Sequence, residues 1–224
     1  MKRTKLDDRI LPTYSKGEEI FNMVSHIVGG AIGIATLVLG IIISAIHHNG
    51  YGIASSIVLG VTVIVLYTMS SIYHGLSPKL KAKKVFQIID HCSIFLLIAG
   101  PYTPFCLCTL RGVEPITGWV MFGIVWGVAA LGITLNAIDI KKYKVVSMIL
   151  YLVMGWCIIV KIKLLIEILG IPGFTLLLSG GIAYTIGAIL YGVGKKKKWM
   201  HSIFHIFCVI SSILQILCIL IYVL

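Results

Sequence analysis

Charge is what this sequence has least of. Only 12% of its 224 residues are Asp, Glu, Lys or Arg, against about 25% in an ordinary soluble domain, and only eight are acidic. With 58% hydrophobic residues and a mean hydropathy of +1.03, the chain cannot have water as its main solvent. Its basic residues, which set a net charge of +11, lie between apolar segments rather than on one solvated face, which argues against a nucleic-acid partner. CxxC pairs are absent too. Cys92, Cys106, Cys108, Cys157, Cys208 and Cys218 all fall inside apolar stretches, so a zinc ribbon or redox couple is excluded and packing or lipid contact is expected. No AxA-like cleavage site follows the first apolar run, which outlasts a signal-peptide core and is therefore expected to be retained. The ten-residue alternating segments of a membrane barrel are missing as well.

What is present is a succession of long apolar runs, over 20–46, 51–74, 85–108, 117–138, 145–166, 172–194 and 199–223. Crossing a bilayer takes about 20 apolar residues, so each run is long enough to span it. The expected fold is all-α: an integral membrane seven-transmembrane helix bundle over residues 20–224, preceded by a polar segment, 1–19. Gly29, Gly30, Gly33 and Gly40 in the first run suit close helix packing in lipid. No internal repeat is evident, and the tract Lys195 to Lys198 reads as a loop facing lipid headgroups.

Orientation follows from the basic residues. Lys2, Arg3, Lys5, Arg9 and Lys16 precede the first run, Lys79, Lys81, Lys83 and Lys84 follow the second, Lys141, Lys142 and Lys144 follow the fourth, and Lys195 to Lys198 follow the sixth. These fall on one side if there are seven spans; Arg111, Lys161 and Lys163 fall on the other. The positive-inside rule then places the N-terminus in the cytoplasm and the C-terminus outside.

An ionisable side chain within a span is costly and marks function by default. Glu19, His26, His74, Asp90, His91, His201 and His205 are the cases, with Asn22, Ser25, Ser70 and Gln87 as polar neighbours. At about 1.5 Å per residue from the flanking lysines, His26, His74, Asp90, His201 and His205 lie at similar depth in the cytoplasmic third of four helices. His201 and His205, four residues apart, share a helix face and can grip one metal ion. Ser70 and His74 have the same spacing. On spacing alone His74 is either a third ligand or a hydrogen-bonding core residue. Three imidazoles are the ligand set of a zinc site that keeps a fourth position for water. Asp90 would orient that water, take its proton or fix a histidine tautomer. His91, about 100° around the helix from Asp90, is expected to bond between helices instead. The stripe Glu19, Asn22, Ser25, His26 has a plainer reading as a solvated first turn, with Glu19 favoured by the helix dipole. His47 and His48 belong to an outer loop, and Lys161, Lys163 and Glu167 can snorkel to the outer interface.

The blocks Glu19-x-x-Asn22-x-x-Ser25-His26, Ser70-x-x-x-His74-Gly75, Asp90-His91 followed by Gly100-Pro101-Tyr102-Thr103-Pro104, and His201-x-x-x-His205 resemble the hemolysin III family. That family is grouped with the progestin and adiponectin receptors (PAQR) and, more distantly, with alkaline ceramidases. The resemblance covers nearly the whole chain. It implies a bacterial, multi-pass protein of the cell membrane with zinc held by His74, His201 and His205, and with Asp90 and Ser70 as catalytic groups near zinc-bound water. Pro101 departs from the family pattern, which has threonine there; this bears on the bend of the third span and touches no proposed ligand.

Three functions compete. The first is an intramembrane zinc hydrolase acting on lipid amides, ceramidase-like, which requires a cavity open to lipid and metal. The second is a non-enzymatic receptor or structural zinc protein. The third is the cytolytic activity in the family's name. A transporter is disfavoured, since there are no paired broken helices and nothing charged marks the outer half. The bilayer and a lipid substrate are the partners implied.

Overall fold

The computed structural model describes residues 3–193 and 197–224. Lys2, Lys195 and Lys196 of the basic clusters lie outside that range. Six helices account for most of the described residues, among which no strand occurs: α1 Lys16–Ile46, α2 Gly50–Gly75, α3 Lys81–Pro104, α4 Pro115–Trp156, α5 Ile162–Val193 and α6 Met200–Tyr222. Past Pro101 and Pro104, α3 runs on as a six-residue π-helix, Phe105–Leu110, and a last turn, Arg111–Val113. Proline removes backbone donors and wedges the preceding turn, so a widened helix is the expected continuation.

Five stretches are long and apolar enough to cross a membrane: Lys16–Ile46, Gly50–Gly75, Lys81–Val113, Pro115–Gly192 and Met200–Tyr222. The fourth, 78 residues long, is broken twice. At Asp139 the backbone turns extended (φ −163°, ψ 101°), and the carboxylate accepts from the N–H groups of Lys141 (3.0 Å) and Lys142 (3.2 Å). This is an N-cap, which starts a new helix where the old one stops. At Gly170 the backbone enters a region open to glycine alone (φ +66°, ψ 171°), and Pro172 opens the next helical run. The basic residues after Asp139 therefore sit within the next helix and not on a loop.

Contacts at the helix ends sort the chain. At one end Thr4 N–H donates to Asp139 Oδ2 (2.8 Å), Lys81 pairs with Asp7 (2.9 Å), and Trp199 N–H donates to Glu18 Oε1 (2.6 Å). At the other, His47 Nδ1 meets the Leu224 carbonyl oxygen (2.8 Å), Arg111 covers the Tyr51 ring (3.6 Å) and Lys161 pairs with Glu114 (2.5 Å). The N-terminal segment, the α2–α3 connection, the Asp139 break and the start of α6 thus share one end.

Ser15 and Glu18 form a capping box at the start of α1. From there Glu18, Asn22, His26, Gly29, Gly33, Thr36, Gly40 and Ser44 recur every three or four residues as a buried stripe. Small and polar side chains on that stripe let α2 approach closely. A Cβ on Gly29 would come within 2.5 Å of the Tyr67 ring, and one on Gly33 within 2.9 Å of Val63, whereas Gly30 faces nothing nearer than 4.0 Å. The outer surface carries Val38, Ile124, Val153, Ile182, Ile210 and Ile221 exposed, as lipid-facing helices require. The cysteines among the described residues are free and none is exposed, which makes them packing residues.

Gly29→Ala is expected to lower the thermal unfolding midpoint in detergent, by an overpacking cost of about 1–3 kcal/mol. Gly30→Ala, one residue on, is expected to leave the midpoint unchanged or raise it, because it gains helix propensity without a clash. Equal effects of the two would contradict the packing assigned to this stripe.

Candidate metal centre

Two helix ends bring the histidines together. His74 is in the last turn of α2, and His201 and His205 are in the first turns of α6. One ring nitrogen from each lies within 4.8 Å of the others. His201 Nε2 is 3.3 Å from His74 Nε2 and 3.0 Å from His205 Nε2. A tetrahedral ion about 2.0–2.1 Å from two imidazole nitrogens sets those nitrogens roughly 3.3 Å apart, so the spacing fits a single ion.

The hydrogen bonding points the same way. Glu19 Oε2 lies 2.6 Å from His74 Nδ1. A carboxylate accepts, so the proton belongs on Nδ1, and the Nε2 lone pair is free to face the cluster. Without an ion, one N–H on His201 Nε2 would have to serve both neighbours at once. A cation shared by three lone pairs removes that conflict.

Glu19 is held in turn. Its Oε1 accepts from Lys83 Nζ at 2.7 Å, and the ammonium also donates to the Leu76 carbonyl (2.9 Å) and the His74 carbonyl (3.5 Å). Lys83 is 1% exposed. A lysine so buried needs its three donors satisfied, and here all three have acceptors. In the sequence Lys83 grouped with the loop lysines, and Glu19 stood open between a costly intramembrane acid and a solvated first turn; the structure folds both inward beneath His74. Its neighbour Glu18 takes the cap.

The rings are stacked. His26 lies parallel to His205 at 3.8 Å between centroids (19°), and Tyr14 parallel to His201 at 4.9 Å (16°). Neither ring nitrogen of His26, nor Nδ1 of His201 or His205, finds a hydrogen-bond partner among the described residues. Only His74 therefore has a carboxylate behind it. Tyr14, in the segment before α1, was not singled out in the sequence; burial pushes its phenol well above the usual range.

Ser70 and Asp90 are buried beside this cluster but are not among the atoms that converge. Asp90 on α3 lies against Ser70 and His91 and within electrostatic reach of His74. His91 Nδ1 is 2.9 Å from the Gln87 carbonyl oxygen and 3.5 Å from Asp90 Oδ2. The helical-wheel argument set Asp90 and His91 apart; both in fact border the same cavity. What His91 offers between helices is its backbone carbonyl, which accepts from Asn136 Nδ2 (3.1 Å) and Tyr151 OH (2.8 Å).

That cavity has a volume of about 430 Å³. His26, His201 and His205 form one wall of it, and apolar side chains including Ile94, Ile98, Leu152 and Trp156 carry it deeper. Its volume lies in the range of small-molecule sites, and its lining is mostly apolar. The N-terminal segment crosses its mouth, tied down by Thr4 to Asp139 and by Asp7 to Lys81 and Lys84. Hydrogen bonding and charge from Lys81 hold the Asp7 carboxyl below its ordinary range.

Comparison with known proteins places this arrangement. The family described as haemolysin-III related matches residues 14–216. The chain is 40% identical over 207 residues to "Hemolysin-3" of Bacillus cereus, covering 92% of each. It is 38% identical over 205 residues to "Hemolysin-3 homolog" of Bacillus subtilis (strain 168), covering 92% of this chain and 94% of that one. The "Monocyte to macrophage differentiation factor" of Homo sapiens is 26% identical over 157 residues, 67% of this chain and 62% of the relative.

Removing a carboxylate that orients a metal-bound imidazole typically costs 10- to 100-fold in affinity. Glu19→Gln and Lys83→Met are each expected to weaken metal binding by about that range in a chelator competition titration. Their combination should weaken it by less than the product, because the two act through one contact. Wild-type affinity in Glu19→Gln would remove Glu19 from the site.

Proposed function

The chain belongs to the haemolysin-III related family, and we propose that it is a zinc-dependent hydrolase of lipid amides working within the membrane. The observation that carries this reading is the junction of three converging imidazole nitrogens with a mostly apolar cavity. The breaks at Asp139 and Gly170 support a reading of the apolar chain as seven crossings, and the basic residues gathered at one end support an N-terminal segment in the cytoplasm and a C-terminus outside the cell membrane.

His74, His201 and His205 would hold zinc through Nε2. Bound there, zinc would polarise an amide carbonyl and lower the pKa of water to about 7. Glu19 keeps His74 in the ligating tautomer, and Lys83 holds the Glu19 carboxylate in place. Asp90, a carboxylate without a ligand role, takes the proton from the attacking water and delivers it to the amine as the carbon–nitrogen bond breaks. Ser70 orients Asp90. The apolar walls hold the acyl chain and exclude water from the reacting carbonyl.

A second reading has its own support: the Glu19–Lys83–His74 contacts tie α1, α2 and α3 to α6 through the histidines, which a purely structural zinc clamp would also need. The name shared by the bacterial relatives suggests lysis, a third activity testable on erythrocytes.

Protein purified in detergent is expected to carry about one zinc per chain and to release fatty acid from a fluorescent ceramide. Asp90→Ala should keep the zinc and lose about 10²- to 10⁴-fold in rate, the usual size of a general acid–base contribution. Zinc retained with no cleavage of any lipid amide by the wild type would leave the clamp.

A further inference from the structure

Two of the three converging imidazoles have no hydrogen bond behind them. A ligating imidazole is ordinarily held at its second nitrogen, which fixes both tautomer and ring angle. Glu19 does this for His74, whereas Nδ1 of His201 and Nδ1 of His205 are buried without a partner among the described residues. His205 has the His26 ring of α1 flat against it at 3.8 Å and the Asn22 backbone carbonyl beside it. His201 depends on a ring from the segment before α1. Tyr14 lies against it at 4.9 Å between centroids and 16° from parallel. Tyr191 and Phe204 also touch this imidazole, but at 5.5 Å and 53° and at 5.9 Å and 35°, so Tyr14 is the neighbour that shares its plane.

The register of the two rings is built into the chain. Tyr14 directly precedes Ser15, the N-cap of α1, and His201 stands two residues after Trp199, whose left-handed backbone (φ +67°) opens α6. Glu18 fastens both. Its Oε2 accepts from Ser15 N–H (2.9 Å) and Ser15 Oγ (2.7 Å), and its Oε1 accepts from Trp199 N–H (2.6 Å). A left-handed tryptophan persists only where its surroundings hold it, and this carboxylate is what holds it. Tyr14 leans on His74 as well, at 5.7 Å, so one phenol ring lies against two of the three imidazoles. From this geometry we propose that Tyr14 is a positioning residue of the metal centre: its ring keeps His201 in the ligating orientation and slows exchange of the ion, the task that Glu19 performs for His74 by hydrogen bonding. The inference rests on the metal reading of the cluster and is independent of hydrolysis.

The test is the rate at which zinc leaves the zinc-loaded full chain in detergent for an excess of chelator, together with the affinity from chelator competition. Tyr14→Phe, which keeps the ring plane, should match the wild type in both. Tyr14→Leu, which keeps apolar bulk without the ring, should release zinc about 2- to 10-fold faster and bind it more weakly by a similar factor, the size of one stacked aromatic pair. A double-mutant cycle separates positioning from general loosening. In a His201→Ala background Tyr14→Leu should cost nothing further, because the ring has lost the imidazole it positions. The proposal is overturned if Tyr14→Leu holds zinc as long as the wild type, if Tyr14→Phe loses as much as Tyr14→Leu, or if the loss persists in His201→Ala. Folded wild type that takes up no zinc would remove the metal reading and this inference together, whereas the first three outcomes remove the inference alone.

Discussion

Glu19 sits with one oxygen 2.6 Å from His74 Nδ1 and the other 2.7 Å from Lys83 Nζ, inside a chain whose composition leaves almost no room for charge. Everything at the centre depends on that contact. An ammonium or a carboxylate alone at this depth would be expelled or neutralised, but each makes the other tolerable when the remaining donors are satisfied. Lys83 meets that condition with two backbone carbonyls at the end of α2. The pair therefore fixes three things together: the angle at which α3 leaves α2, the depth of α1, and the proton position on His74. With His74 committed, its Nε2 points at the ring nitrogens that α6 presents one turn apart.

Much of this was legible in the sequence because lipid penalises exceptions. The apolar runs, the basic breaks and the HxxxH spacing located the helices and put His74, His201 and His205 at one depth, and the family comparisons agree with the resemblance carried by those blocks. The failures share a cause. Lys83 looked like one more loop lysine, and Glu19 stayed open between a buried acid and a solvated first-turn one, because composition and spacing cannot show that two opposite charges 64 residues apart meet. His91 was set apart from Asp90 by a wheel drawn for a single helix, which takes no account of a cavity wide enough to touch both. The α4 break was expected as a loop after 138, but an aspartate whose carboxylate caps the following turn needs only one residue.

The segment before α1 links the two parts of the account. Tyr14 lies flat on His201, Arg9 faces the cavity, and Thr4 reaches the carboxylate that starts the second half of α4. A stretch too polar to enter the bilayer thus becomes the roof of a site that only apolar helices could build, and any ligand arriving from that end meets it first.

X-ray absorption at the zinc edge on purified protein reads the ligand shell at the histidine cluster. The account predicts a first shell of three imidazole nitrogens at about 2.0–2.1 Å with one oxygen donor, reduced to two imidazoles in His205→Ala. A shell containing sulfur, a shell with fewer than three imidazoles in the wild type, or no bound metal in folded protein supplied with zinc would contradict it.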